Sequence, residues 1–564
     1  MTPDAVNGHA RLLRIACGIS VAAILLAKIP LAWRINVNWD EFYFLNPVHA
    51  LARGELDVLL QGAYAHLFVW VTRLDLDEIG QIVALRLSTW PMLALSCFLL
   101  YRLARRWASA TGAWLAVFAF AASWPVLRHG ISFRADSLLL PFILATFVFV
   151  GGGRVPLRRD AAVGLSFGVA LAISMKAALS LPALFALVLF ETHRDRGVSG
   201  ATITVTLQRL ATIAVTAALT AAVIVAVHSI SVTAAAQPAG TVATLALSGG
   251  LLDVPWLPRW IQLQHLLASD AVLWVVVASG TIAAIVRRRF SAAACALSLL
   301  PVLFYRNAYS YYYVVMLAPA CAVAAVACDE VRTLATRTGL ASAGTAAIAT
   351  ALLLLAHNAW EGLMALRFDE QADQRAVVAA VHRIFPRPVP YIDHSGMIAS
   401  FHKANFFMST WGVERYLRQG GDFMPAALAR ERPPLLLVNH GVLRPGTLLF
   451  RQLREVDRKL LTDSYVDYWG PVRVAGIEAR IPSGQLIRAR LPFPGRYRVE
   501  TGAGVRINGE RFARDAVYDS GESVELTIGA EPAIAEEIAI RLVWADARRP
   551  PREEPPALPL YSPL

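Results

Sequence analysis

The chain has 564 residues, 56% of them hydrophobic and 17% charged, with a formal net charge of +12. That composition excludes an ordinary soluble protein and indicates a polytopic membrane protein. The positive charge does not point to nucleic acid, because the arginines fall in short clusters between apolar runs rather than in one basic, aromatic-interleaved patch.

Taken in chain order, apolar runs occupy about 12–31, 82–101, 110–127, 136–152, 161–175, 177–191, 207–229, 270–286, 291–305, 310–328 and 340–357. Read as eleven spans with residues 1–11 inside, they put every basic cluster on one side: Arg102, Arg105 and Arg106; Arg154, Arg158 and Arg159; Arg194 and Arg196; Arg287, Arg288 and Arg289; Arg332 and Arg337. The first span, preceded by Arg11 and Arg14 and followed by no small-residue cleavage site, reads as a retained helix. Parity keeps residues 61–74 on the outer surface or re-entrant. It also makes 161–175 and 177–191 two short spans, each about 22 Å of helix against a core of roughly 30 Å. Trp256, Trp260 and His265, in the outer loop from about 230 to 269, mark an interfacial helix. All five cysteines lie in apolar segments, so the polar C-terminal third has no thiol to pair.

An odd number of spans leaves the chain beyond His357 outside. Residues 388–393 and 434–439 read as buried strands, with a helical pattern from Asp369 to Ile384, giving a small α/β region over 358–480. From 481 to 549 alternating segments separated by Gly or Asn turns predict a β-sandwich, and the Pro-rich 550–564 reads as a tail without a core.

Candidate chemistry gathers on the outer side. Asn38-Trp39-Asp40-Glu41 sets two carboxylates at a bilayer edge, where an unpaired carboxylate is costly unless water, a cation or a substrate reaches it. Arg134-Ala135-Asp136, with His129 nearby, forms a mixed-charge mouth in the next outer loop. For all three carboxylates the alternative is helix capping. Asp40, Glu41 and Asp136 are also the candidate ligands of a divalent cation, although no tight ligand spacing supports one. Lysine occurs only at 28, 176, 403 and 459, which singles out Lys176 at the tip of the short hairpin. Arg306 lies at another outer turn, ahead of Tyr309, Tyr311, Tyr312 and Tyr313. Both cations suit phosphate oxygens; snorkelling and an aromatic belt are the alternatives.

Together these features resemble the type C (GT-C) membrane glycosyltransferases, which take sugar from a polyprenyl-phosphate carrier. The resemblance rests on Asp40-Glu41 after the first span, Arg134-x-Asp136, Lys176 between short helices, and Arg306 followed by Ser310-Tyr311-Tyr312-Tyr313 before Leu317-Ala318-Pro319. It covers roughly residues 10–330 and is nearest the bacterial lipopolysaccharide- and protein-modifying branch. In the first loop the chain has Ala63-Tyr64-Ala65-His66-Leu67 where many relatives have a His-Pro-Pro or Glu-Lys-Pro motif.

The resemblance implies inverting sugar transfer from a polyprenyl-phosphate donor to an envelope glycan, lipid or protein acceptor at the periplasmic face of a bacterial inner membrane. In that reading Asp40 is the base, Glu41 and Asp136 orient the acceptor or hold a cation, and Lys176 and Arg306 bind phosphate. His129, Arg134 and Tyr311 line the substrate site. Two other classes stay open: a transporter or flippase of lipid-linked sugars, which would place ionisable groups near the bilayer midplane, and an envelope glycan-binding protein, in which the loop carboxylates would be dispensable.

Overall fold

In a computed structural model, residues 3–151, 156–196, 200–233, 256–500, 505–530 and 537–561 are described, and all that follows concerns them. Each of the eleven apolar runs is helical over most of its described length, so the protein is a multi-pass membrane protein with a strand-rich C-terminal region. Six helices are long and apolar enough to cross a bilayer on their own: Ala10–Leu31, Glu78–Ala104, Met175–Asp195, Thr202–Ser229, Ser310–Arg337 and Ala341–Ala365. The shorter apolar helices Ala110–Ala121, Ala135–Phe149 and Phe290–Phe304 accompany them. Trp260–Ser269 and Ala271–Val286 meet at 94°, so the helix expected to be interfacial is the first arm of a sharply bent pair.

Burial ranks these helices. In the most apolar 18-residue window of Ser310–Arg337 83% of the residues are buried, and this helix forms the axis of the bundle, whereas in that of Thr202–Ser229 11% are, and this helix faces outward over most of its length. What holds the outer helix is close backbone approach to Pro156–Ile173. A Cβ on Gly164 would stand 1.7 Å from Thr216 Oγ1, and one on Gly168 2.5 Å from the Ala217 carbonyl, so Gly164-x3-Gly168 is a small-residue packing face. Arg209 and Asp160, 2.9 Å apart, close the same pair at its other end.

Arg154 lies outside the described residues; basic residues of three other clusters meet at one end of the bundle. Arg106 and Arg194 share Glu191 at 2.8 and 2.9 Å, Arg287 pairs with Glu330, and Arg289 donates to the Trp107 carbonyl at 2.6 Å. The acidic loops lie at the opposite end with the C-terminal region. There Gln371 Nε2 donates to the Ala32 and Ile35 carbonyls, and Gln374 accepts from Val37 N at 2.8 Å and donates to its carbonyl at the same distance. The orphan backbone groups where the first span ends are thus satisfied from the C-terminal region.

That region does not divide at 480. Strands β1 (Tyr391–Ile392), β2 (Leu435–Leu437), β3 (Tyr465–Trp469), β4 (Val472–Pro482), β5 (Leu486–Arg490), β6 (Arg496–Val499), β7 (Val505–Ile507), β8 (Glu510–Phe512), β9 (Val517–Asp519), β10 (Glu525–Ala530) and β11 (Glu537–Trp544) form two sheets. One runs β1-β2-β4-β11-β6-β9 with β3 also on β4; the other runs β5-β10-β7-β8. β1 and β2 are parallel, as an α/β unit requires. β4 serves both parts: Val472–Val474 pair with β2, and Gly476–Pro482 pair with β11. The expected sandwich is present, its layers closing on Leu491, Tyr497, Val499, Ile507, Ile528 and Leu542.

The Pro-rich stretch differs from expectation, since it is packed rather than free. Leu560 and Tyr561 are buried in a cluster with Val37, Phe42 and Tyr391, and Trp469 Nε1 donates to the Glu553 carbonyl at 3.0 Å. Its apolar residues are few, but they fill the seam between the helical bundle and the C-terminal region.

Candidate active site

The helix Trp39–Arg53 begins with a capping box. Asn38 Oδ1 accepts from Asp40 N at 2.9 Å, and Glu41 reaches back to Asn38 N at 3.1 Å. The two adjacent carboxylates then diverge.

Glu41 turns inward and is fully buried. Oε1 accepts from Arg86 Nε at 2.9 Å and from Phe133 N at 2.7 Å; Oε2 accepts from Arg86 at 2.5 Å. Arg86 spends its remaining N–H groups on the carbonyls of Ala32, Ile35 and Asn36. Burial alone would raise the Glu41 carboxyl, but the Arg86 guanidinium outweighs it and holds the group below the usual carboxylate range. Its oxygens are saturated. Glu41 is therefore a fastener between this helix, the Glu78–Ala104 span and the 129–134 loop, rather than a group facing an acceptor or a cation as expected from sequence.

Asp40 stays partly exposed, and its carboxylate pairs with the Arg134 guanidinium. Arg134 also donates to Asn38 Oδ1 at 3.2 Å, lies 3.6 Å from Asp136 and sits over the Tyr311 ring, 3.4 Å from its centroid. Asp136 is in turn 3.3 Å from Lys176 Nζ. Four charges alternate along one line: Asp40, Arg134, Asp136, Lys176. The inner two are almost closed off, with side chains 2% and 3% exposed, while Asp40 is 14% and Lys176 26% exposed. One carboxylate and one ammonium are the open ends of a neutralised buried chain.

Aromatic packing fixes this line from behind. Tyr312 OH donates to the Lys176 carbonyl at 3.0 Å, and Lys176 Nζ stands 5.4 Å from both the Tyr311 and Tyr312 ring centroids. Tyr309 stacks on Tyr311 at 5.6 Å, and Arg259 covers the far face of Tyr309 at 4.2 Å while donating to its hydroxyl at 2.5 Å. His129 approaches Ser310 Oγ at 3.3 Å and Tyr311 edge-on at 6.2 Å. Arg306 stands apart from the line, paired with Glu414 of the Thr410–Gln419 helix, with its carbonyl accepting from Arg259 Nε.

The structure thus brings Asp40, Arg134, Asp136, Lys176, Tyr311 and His129 together, buries Glu41 and sets Arg306 at the rim. Sequence reasoning passed over Arg86 and Arg259. An ionisable residue inside an apolar run is a usable signal, and Arg86 carried it; Arg259 in its loop carried none. As ligands for a divalent cation the three carboxylates do not converge, because the Arg134 guanidinium already occupies the place between Asp40 and Asp136. Among the described residues no group of three or more His, Cys, Asp or Glu could hold a metal ion.

No protein-family model matches this sequence, and no curated protein matches it. Solved structures do. ArnT from Cupriavidus metallidurans bound to undecaprenyl phosphate superposes with a TM-score of 0.52 at 15% identity, over 74% of this chain and 92% of that one. The archaeal oligosaccharyltransferase AglB from Archaeoglobus fulgidus, in complex with an inhibitory peptide and a dolichol-phosphate, gives 0.51 at 10% identity, over 89% of this chain and 74% of that one. At these identities the likeness is one of fold alone: this chain shares the fold of those two membrane proteins.

Proposed function

We propose that this protein is a glycosyltransferase that moves a sugar from a polyprenyl-phosphate carrier to an envelope glycan, lipid or protein acceptor at the extracytoplasmic face of a bacterial inner membrane. The observation that carries the reading is the pairing of open ends, Asp40 and Lys176, on one buried line of charge. The matched solved structures, bound to undecaprenyl phosphate and to a dolichol-phosphate, support it from the fold.

The chemistry follows from the placement. An acceptor oxygen attacks the anomeric carbon opposite the carrier, forming one C–O bond as the bond to the phosphate oxygen breaks. Asp40 takes the acceptor proton, and the charge left on the polyprenyl phosphate is met by the Lys176 ammonium. Arg134 pairs with Asp40 and aims it, while Asp136 keeps Lys176 from folding away. Such charges are set before substrate arrives, so little reorganisation accompanies the reaction. A carrier of lipid-linked sugars would need ionisable groups at mid-bilayer; here the line lies at the bundle end that meets the C-terminal region.

Lipid and glycan profiling of a deletion strain, followed by transfer with purified protein and the carrier-linked sugar that accumulates, tests the proposal. Loss of one sugar decoration with restored transfer in vitro is expected. An unchanged envelope together with no transfer from any carrier-linked sugar would overturn it.

A further inference from the structure

A cavity of about 480 Å³ opens beside the Trp39–Arg53 helix, within the roughly 300–1,000 Å³ range of small-ligand sites. Its walls come from three parts of the chain: Trp39, which precedes Asp40; Gln262 on the interfacial helix; and His440, Arg444, Leu449 and Tyr561 of the C-terminal region.

The wall is stiff and one-sided in charge. Trp39 packs on Phe407 at 5.8 Å and edge-on to His394 at 5.4 Å, and His394 stacks on His440 at 3.9 Å. Tyr561 is tied by its hydroxyl to Ser395 at 2.7 Å and Asn439 at 3.1 Å. His440 Nδ1 accepts from Val442 N at 3.2 Å, which leaves Nε2 to carry the proton as a donor. Arg444 is exposed and, among the described residues, has no side-chain hydrogen bond or ion pair, and no carboxylate lines the cavity. A half-buried indole suits a sugar face, the imidazole N–H a hydroxyl, and an unpaired guanidinium a phosphate or carboxylate.

We infer that this cavity holds the acceptor and selects a glycan bearing a phosphate or carboxylate group. The word acceptor rests on the transferase reading; the binding chemistry does not. Placing such a glycan against Trp39 brings its neighbouring hydroxyls to the helix end that carries Asp40.

Purified full-length protein in detergent is titrated with digalacturonate, with maltose 6-phosphate and with uncharged maltose, by calorimetry. Saturable binding of one or both anionic sugars, at least about 10-fold tighter than maltose, is expected, as one charge-assisted hydrogen bond supplies that difference. The two anionic arms tell carboxylate from phosphate. Arg444→Ala abolishes the preference, and Arg444→Lys restores part of it. Leu449→Trp, at a 41% exposed wall position, fills the cavity and weakens all three sugars while leaving Arg444 in place. Equal binding of maltose, or binding unaltered by both Arg444→Ala and Leu449→Trp, overturns the inference. Arg444-dependent binding in a protein without transferase activity removes only the transferase reading. Demonstrated transfer with an acceptor KM indifferent to Arg444→Ala removes only the cavity assignment.

Discussion

Asp40 and Glu41 are adjacent carboxylates whose conversion to amides has opposite consequences. Asp40→Asn removes one partner of Arg134, yet that guanidinium keeps Asp136, Asn38 and the Tyr311 ring, and the lost contact lies at the partly exposed end of the line. Stability should therefore fall by only about 1 kcal/mol, the scale of one net hydrogen bond. Activity should fall far more, by about 10² to 10⁴, the usual worth of a positioned base. Glu41→Gln leaves the buried Arg86 charge without its carboxylate, 2.5 Å away in the parent, and breaking such a pair costs about 3–5 kcal/mol. Thermal unfolding in detergent and initial transfer rates with the carrier-linked sugar separate the two. The expected pattern is a stable, slow Asp40→Asn and an unstable Glu41→Gln whose surviving folded fraction still turns over. A fully active Asp40→Asn, or a Glu41→Gln of parental stability, would refute this division of labour.

Lys176→Ala should weaken use of the carrier-phosphate donor by about 1.5–3 kcal/mol, the range for a hydrogen bond to a charged group, read as a raised donor KM. Arg306→Ala should act chiefly through its Glu414 partner, so that Glu414→Gln reproduces its effect; a donor defect in Arg306→Ala alone would put Arg306 on the phosphate. Single cysteines at 176 and beyond 358 should label with impermeant reagent from outside cells, and labelling at 176 only from the cytoplasm would contradict the proposed orientation. His382 donates to Glu78 at 2.8 Å; burial opposes its protonation, but the Glu78 carboxylate wins and raises it above its ordinary value of 6.5. Its contribution is complete below that value and is lost as pH rises through the higher folded value, so the gap in unfolding temperature between the parent and His382→Gln should be widest near about pH 6 and close on alkalinisation.

Much of the architecture was legible because membrane spans write themselves as long apolar runs. The line of charge was legible for a related reason: Asp40, Asp136 and Lys176 stand out in a chain this apolar. What separated Asp40 from Glu41 was not, since the deciding partner, Arg86, lies 45 residues away and both neighbours look alike in one dimension. The boundary drawn at 480 failed because β4 is one continuous strand whose two halves serve different partners. The packing of residues 550–561 escaped for want of periodicity; a few residues, Leu560 and Tyr561 among them, hold it through contacts with residues hundreds of positions earlier.

Those distant contacts set an order of assembly. The loop that carries Asp40 rests on Glu370 and Gln374, 334 and 337 residues later, and on the Leu560 carbonyl, 524 residues later. At roughly 5–20 residues per second, a ribosome needs on the order of 15–70 s to travel from the first of these points to the Gln374 clamp, and longer to reach Leu560. Throughout that interval Arg86 can already meet the carbonyls of Ala32, Ile35 and Asn36, but the N–H groups of Asn36 and Val37 still lack Glu370 and Gln374. The backbone just ahead of Asp40 is thus made long before the groups that hold it, and its last partner arrives only when the last-made segment returns to the first.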